Sequence, residues 1–345
     1  MKTNWKNPAA VFLALAVFAH PAFAWSGGGH KTVAIIAYHQ LTPAQRAKVV
    51  EVLQSHPLFA QDFEEEMEEE IGNEPSQTSE ERWLFAQAAI WPDIARKYTD
   101  EPKDYHRDKW HYINRPIYVD ASSESVLKDH LPNQELKWKA NIPEKELGAP
   151  QIVDYAMRLL TKPGGTALEK TNKAIVLCWL MHLVGDLHQP LHSVAFFSKE
   201  TFPKGDHGGN YILLPTSPNQ KKPVNLHSYW DHLHGGTVDL NVVIGRANAI
   251  MNQPLIQARA KAAATNLSMT AWLNEGYAIA NQKAYTQNMR AAVKAAEQTP
   301  AKEYKVIVYQ TATERADYKQ MAQPIADERV AVAGSRLATL LRAVK

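Results

Sequence analysis

The chain contains 14 histidines, and their placement says more than their number. The densest stretch is His182-Leu-Val-Gly-Asp186-Leu-His188-Gln-Pro-Leu-His192. On a helix, residues four apart share one face, so His182 and Asp186 point the same way. An imidazole nitrogen and a carboxylate oxygen so placed can bind one zinc ion at about 2.0–2.2 Å. Pro190 has no N–H to continue a helical ladder, which predicts a helix end near Gln189. His192 then lies beyond that end, free to serve a neighbouring ion. His227-Ser-Tyr-Trp-Asp231 repeats the geometry of the first pair. A single His-x-x-x-Asp pair reads more readily as a core histidine bonded to a carboxylate. Two such pairs plus His192, in apolar surroundings, point to metal, because burying so many ionisable groups without one is costly.

The other chemically suggestive pieces are each weak alone. Residues 1–24 carry Lys2 and Lys6, a short apolar run and the small-residue pattern Ala22-Phe23-Ala24. That is the pattern of a secretory signal peptide cleaved after Ala24. The apolar run is too short to span a bilayer. Cleavage would start the mature protein at Trp25-Ser-Gly-Gly-Gly-His30. A free amine there is a good nitrogen donor, and its own carbonyl can close a chelate ring. The glycines let His30 fold back toward the same ion; the competing reading is a flexible tail. Trp91-Pro-Asp93-Ile-Ala-Arg96 and Trp110-His111-Tyr112-Ile-Asn114 each place a possible ligand beside a bulky aromatic.

These residues need a scaffold, and the pattern around them is mostly helical. Apolar residues recur at helical spacing over 31–53, 80–90, 237–252, 266–296 and 324–344. Residues 171–188 are apolar nearly all round, as a central buried helix should be. Only 211–215 suggests a strand, within a long Pro- and Gly-containing excursion over 198–222. The acidic run within 61–70 reads as a solvated helix face or a mobile loop; its spacing fits no EF-hand. No repeat or domain boundary is evident, so a single domain over 25–345 is expected. Cys178 is the only cysteine. An intramolecular disulfide is therefore excluded, and Cys178 reads as an inert core thiol. The chain has 38 Lys and Arg against 36 Asp and Glu, and Lys2 and Lys6 account for the whole excess. A globally basic nucleic-acid binder is thereby disfavoured; any attraction for phosphate must be local.

Taken in order, these motifs resemble the zinc-dependent class I nucleases of the S1/P1 type, relatives of the trinuclear zinc phospholipases C. The resemblance runs from Trp25 to Ala333-Gly334-Ser-Arg336-Leu337-Ala338. It implies an all-α fold: one mainly helical domain with a short strand or hairpin excursion. It also implies three Zn2+ ions. The first would take Asp93, His111, His182 and Asp186. The second would take His192, His227 and Asp231. The third would take the amine and carbonyl of Trp25 with His30, sharing Asp186 as a bridge. Arg96 would contact the scissile phosphate, with Asp93 beside it as a catalytic ligand. Tyr112 maps to the base-stacking aromatic, and Asn114 stands where the family carries a base-reading Asp. Asn keeps an acceptor but gains a donor. The family's disulfides have no counterpart, and His188, His207, His232 and His234 match no ligand.

The implied activity is hydrolysis of single-stranded DNA and RNA to 5′-phosphorylated products, with 3′-nucleotidase action. Close zinc ions supply the Lewis acidity and positive field that the balanced net charge lacks. Stacking on Tyr112 would need an unstacked base, which favours single strands. The expected protein is an exported monomer, periplasmic or secreted, with no stable membrane association. The rival enzyme is a zinc phospholipase C. The short Trp25–His30 spacing and Asp231, where those enzymes carry Glu, speak against it. A non-enzymatic zinc store is a third reading; Arg96 beside the ligands argues against that.

Overall fold

The computed structural model describes residues 25–72, 76–98, 105–130, 135–215, 223–298 and 305–345. The expected signal peptide, and part of the 198–222 excursion, lie outside them. The described residues form a mainly helical body, as expected. The N-terminal helix, Gly27–His39, packs against the helices Gln77–Ile94, Leu240–Met251 and Ala312–Leu341. The central helix, Ala167–Asp186, packs against Gln77–Ile94 and Ala149–Leu160. Trp83, Phe85, Trp91, Trp179 and Trp272 fill the space between them, fully buried. The C-terminal helix crosses the N-terminal one at close range: a Cβ on Gly334 would come within 2.5 Å of Ile36. Among the described residues, no helix is long and apolar enough to cross a membrane.

Local sequence explains where these helices start. Thr166 accepts from the Glu169 amide while Glu169 bonds back, and Thr311 and Glu314 do the same for the last helix. Such capping boxes satisfy amides that the first turn leaves unpaired. Boundaries differ from the periodicity in places. The segment 31–53 is two helices, because Thr42 caps a new one that begins at Pro43. The segment 266–296 is likewise Met269–Ile279 and Gln287–Ala296, separated by a π turn.

The strands are more numerous than the sequence suggested. Arg115–Tyr118 pairs in parallel with Val194–Phe197, and Ile212–Leu214 lies between Val224–Asn225 and Val306–Ile307. They are two to four residues long, too short for alternation to show. Their register still matters, because it ties residue 115 to residue 194. That brings two of the histidine motifs side by side. A second core, around Trp230, Tyr285 and Tyr318, lies beneath the three-stranded sheet.

Of the two forms expected for the acidic run, the helix holds: residues 60–71 form a π turn and a short helix. Its glutamates from Glu64 to Glu69 are largely exposed, apart from the intervening Met67. Asp62 is buried, however, and Glu70 accepts from Lys31 Nζ, the Trp83 indole and the Leu240 amide at 3.0–3.1 Å.

Candidate metal centre

The central helix delivers His182 and Asp186 on one buried face and ends there, with Leu187 capping its C-terminus. A 3-10 turn, Pro190–Ser193, then presents His192. The parallel strand pair continues directly from this turn. Ile113 N–H donates to the His192 carbonyl at 2.9 Å, and His192 Nδ1 donates to the His111 carbonyl at 2.8 Å. His111 is thereby laced onto the turn that carries His192. The short helix Leu226–Asp231 brings His227 and Asp231 to the same place, capped by Asn225.

The N-terminal segment is not a flexible tail. The glycines of Trp25–His30 form the first turn of the N-terminal helix and are packed tightly. A Cβ on Gly28 would lie 2.5 Å from the Thr237 carbonyl. Trp25 is fully buried and its indole N–H donates to the Gly185 carbonyl at 3.0 Å. Ser26 N–H donates to the Asp231 carbonyl at 2.9 Å. The Trp25 main chain is thus held between the ends of the two ligand-bearing helices. His30 stacks on His182 with ring centroids 3.8 Å apart. Its Nε2 lies 3.2 Å from Asp186 Oδ1, while Asp186 Oδ2 lies 3.2 Å from His111 Nδ1 and 3.4 Å from His182 Nε2. The two oxygens of Asp186 therefore face two different sets of imidazoles.

Hydrogen-bond bookkeeping tests whether these residues fit a metal. His182 Nδ1 sits 2.7 Å from the Ala89 carbonyl, and His227 Nδ1 sits 2.7 Å from the Gly208 carbonyl. With His192, three rings thus commit their N–H to a carbonyl, which can only accept. Their Nε2 atoms are then bare lone pairs. Yet His192 Nε2 and His227 Nε2 face each other at 3.0 Å. Neither can donate to the other, so the contact repels unless a cation lies against both. His30 Nε2, His111 Nε2, Asp186 Oδ1 and Asp231 Oδ2 are buried without a hydrogen-bond partner, and Asp93 Oδ1 faces the Arg96 guanidinium. Unpaired buried polar atoms at this density are far outside the usual pattern, and metal-bound imidazoles typically donate their other N–H in the way His182, His192 and His227 do. The residues fit metal ions.

Electrostatics agree. Burial pushes Asp93 up to about 6 against the pull of Arg96. Burial, with the nearby His227 lowering it, leaves Asp231 at about 7. Burial, reinforced by Asp93 and Asp231, raises Asp186 well above the usual carboxylate range. Burial depresses His182 to about 3 and sends His30 and His111 well below 6.5. A bound divalent cation reverses this penalty on the carboxylates. Among the described residues, three groups that could hold a metal ion have donor atoms within 4.8 Å of one another: His30, Asp93 and His182; His111, His182 and Asp186; His192, His227 and Asp231. His182 belongs to two of them, so the first two are contiguous. His30 therefore comes into reach of Asp93 and His182 as well as of Asp186.

The remaining site residues are close by. Arg96 Nη2 lies 3.1 Å from Asp93 Oδ1. Tyr112 and Asn114 flank the stretch next to His111 and are half-buried. The Tyr112 carbonyl accepts from the Ala149 amide at 3.3 Å. Sequence reasoning missed three supports. Gly185 sits under the His30 ring, where a Cβ would lie 2.6 Å from Nδ1. Gly208, at φ 62°, offers the carbonyl that orients His227. Gln189 donates to Asp231 Oδ1 at 2.7 Å. Gly185, a small residue inside the densest motif, was the one available signal.

Comparison with known proteins extends the reading. Endonuclease 4 of Arabidopsis thaliana is 28% identical over 155 residues, covering 43% of this chain and 42% of its own. Endonuclease 1 of the same plant is 30% identical over 151 residues, covering 41% of this chain and 39% of its own. The aligned part thus spans under half the length of these relatives. The family description S1/P1 Nuclease matches residues 25–345, which is the stretch that carries every candidate ligand, and the chain belongs to that family.

Proposed function

We propose that the protein is an exported phosphodiesterase that holds three zinc ions and hydrolyses single-stranded DNA and RNA. The observation that carries this reading is the buried cluster of acceptors facing acceptors around Asp186 and Asp231, with a guanidinium at its edge. Asp93, His111, His182 and Asp186 would hold the first ion, and His192, His227 and Asp231 the second. His30, Asp186 and the amine and carbonyl of Trp25 would hold the third. The bound ions supply Lewis acidity for phosphoryl transfer and acidify water near neutral pH.

The chain's own groups do the rest. Arg96 donates to a phosphate oxygen and offsets the charge that builds on phosphorus in the transition state. Asp93 aims Arg96 through their ion pair. Asp186, whose two oxygens face different imidazoles, would be a ligand shared by two ions, and its charge would offset theirs. Tyr112 stacks one base, and Asn114 offers that base a donor and an acceptor. Nothing in this constellation reads a 2′-hydroxyl, so both sugars are accepted. Breaking the P–O3′ bond leaves 5′-phosphate ends, and the same chemistry removes phosphate from 3′-nucleotides. A duplex hides the base faces, and extracting one costs a few kcal/mol, so duplex cleavage is slower. Export and removal of residues 1–24 would free the Trp25 amine, and residues 25–345 would act as one domain and as a monomer.

The test is a substrate panel with the mature protein: single-stranded DNA, RNA, duplex DNA, a 3′-mononucleotide and phosphatidylcholine, each with and without chelator. Single strands and the 3′-nucleotide should be hydrolysed and the chelator should stop it. Rapid hydrolysis of phosphatidylcholine with single strands left intact would replace this reading with a phospholipase. A second preparation should keep Met ahead of Trp25. It should fold but lose most activity; equal activity would remove the Trp25 amine from the ligand set.

A further inference from the structure

The acidic run over 61–70 has no part in the reaction described above, yet one of its carboxylates is fully buried beside the site. Asp62 lies on the π turn Ala60–Glu64, and its side chain is fully buried. Single π turns inside helical segments occur often at functional sites. Here the turn directs one carboxylate at one segment. Asp62 Oδ2 accepts from the Trp91 indole N–H at 2.9 Å. Asp62 Oδ1 accepts from the Tyr98 hydroxyl at 2.7 Å and pairs with Lys97 Nζ at 3.1 Å. The Asp62 carbonyl accepts from Gln87 Nε2 at 2.8 Å, one turn earlier on the same helix.

The span between those anchors contains Asp93 and Arg96. The helix Gln77–Ile94 carries Pro92 inside its last turn and gives way to a 3-10 turn, Ala95–Lys97. A proline there removes a ladder hydrogen bond and loosens the helix end. Asp62 holds that end from both sides, with one oxygen on Trp91 and the other on Lys97 and Tyr98. We propose that Asp62 is a positioning residue that fixes the segment Trp91–Tyr98 and so sets the aim of Asp93 and Arg96. This rests on the reading of Arg96 and Asp93 given above. The exposed glutamates that follow are a solvated face; Asp62 is the member of the run that acts on the site.

Asp62→Asn keeps the shape and one acceptor, so one end of the segment is released while the fold survives. Removing a group that orients a metal ligand or a catalytic group typically costs about 10–100-fold in metal affinity or activity. Asp62 acts through neighbours of Asp93, so the low end, about tenfold, is expected. The experiment uses the zinc-loaded mature protein with Asp62→Asn, Arg96→Ala and the double variant. It reads kcat and KM on a single-stranded oligonucleotide and zinc release to a competing chelator. Asp62→Asn should lower kcat with KM little changed and release zinc more readily. In the Arg96→Ala background, with zinc held in excess, it should cost clearly less turnover. An equal loss of turnover in both backgrounds, with zinc release unchanged, would assign Asp62 a general structural role and overturn the proposal. If Asp62→Asn does not fold, Tyr98→Phe removes one of the same bonds and is read the same way. If Arg96→Ala alone leaves turnover intact, the role of Arg96 in the proposed function fails. Asp62 is then judged on zinc release: faster release supports it, and unchanged release overturns it.

Discussion

Two buried polar clusters lie within a few residues of each other and use similar side chains. One is the His and Asp cluster around Asp186 and Asp231. The other begins at His188, two residues further on. His188 Nδ1 donates to the Val184 carbonyl at 2.7 Å, and His188 Nε2 accepts from Arg336 at 2.8 Å. Arg336 also pairs with both oxygens of Glu275, and Arg329 bonds Glu275 and the His188 carbonyl. In this second cluster donors meet acceptors, with one Arg329 nitrogen left over, and Arg336 lies over the Trp272 ring. In the first, acceptors meet acceptors. A buried histidine is common to both; the balance of donors and acceptors separates them. A closed network ties the C-terminal helix to the end of the central helix, whereas an open one needs cations.

The largest effect that separates them is zinc removal. Chelation should abolish activity and lower stability by roughly 3–4 kcal/mol when free zinc had stood about 100- to 1,000-fold above Kd. Thermal melts with and without chelator check this, and an unchanged melt would place the metal elsewhere. The affinity should also depend on pH in a particular direction. His30, His111, His182 and His227 are held below 6.5 by burial, so near neutral pH they release no proton on binding. Asp93 and Asp231 stand at about 6 and about 7. Their protons, and that of Asp186, which burial also raises, must leave before zinc enters, so affinity rises with pH through about 7. Calorimetry in buffers of different ionisation enthalpy counts those protons.

Next in size is Asp186→Asn. It keeps the shape but loses the charge that faces both sets of imidazoles. Turnover should fall by more than about 100-fold, above the range for groups behind the ligands, and by more than for His30→Ala. Steady-state kinetics of the two variants decide it. If Asp186→Asn is the milder change, the shared role of Asp186 is wrong. Smaller again is Tyr112→Ala, at the rim of the open cluster. It should weaken substrate binding by roughly 1–3 kcal/mol, the worth of one stacked base, while elemental analysis finds zinc unchanged.

The smallest effect belongs to the closed network. His188→Gln cannot reproduce both hydrogen bonds and should cost about 1 kcal/mol of stability, with zinc retained. Its pH signature is distinct. Burial holds His188 well below its ordinary value of 6.5. A depressed histidine contributes stability that is present above about 6.5 and lost as pH falls, because only the unfolded chain then takes the proton. Denaturant titrations should show a shallower acid slope for His188→Gln than for the unsubstituted protein.

Much of the open cluster was legible in the sequence, because His182 and Asp186, and His227 and Asp231, sit at a spacing that a helix converts directly into geometry. His192 was legible through Pro190, which ends the helix before it. The apolar 171–188 stretch announced the central helix for the same reason. What was not legible depends on the third dimension. The strand pair that laces His111 to His192 is four residues long, and no periodicity betrays it. Gly185 and Gly208 act through space and a carbonyl, not through a side chain. Asp62 was hidden among glutamates, since composition alone cannot say which acid of a run turns inward. The closed network was hidden too: His188 and Arg336 lie far apart in sequence, and neither spacing nor charge pattern links them.

The most direct test is a count of metal in the mature protein with an authentic Trp25 terminus, equilibrated with zinc and freed of excess. Elemental analysis should find three zinc ions per chain, and the Asp231→Ala variant should lose one of them while His188→Gln keeps all three. One ion or none in the unsubstituted protein, with the fold intact, would contradict the claim that facing acceptors mark the metal seats.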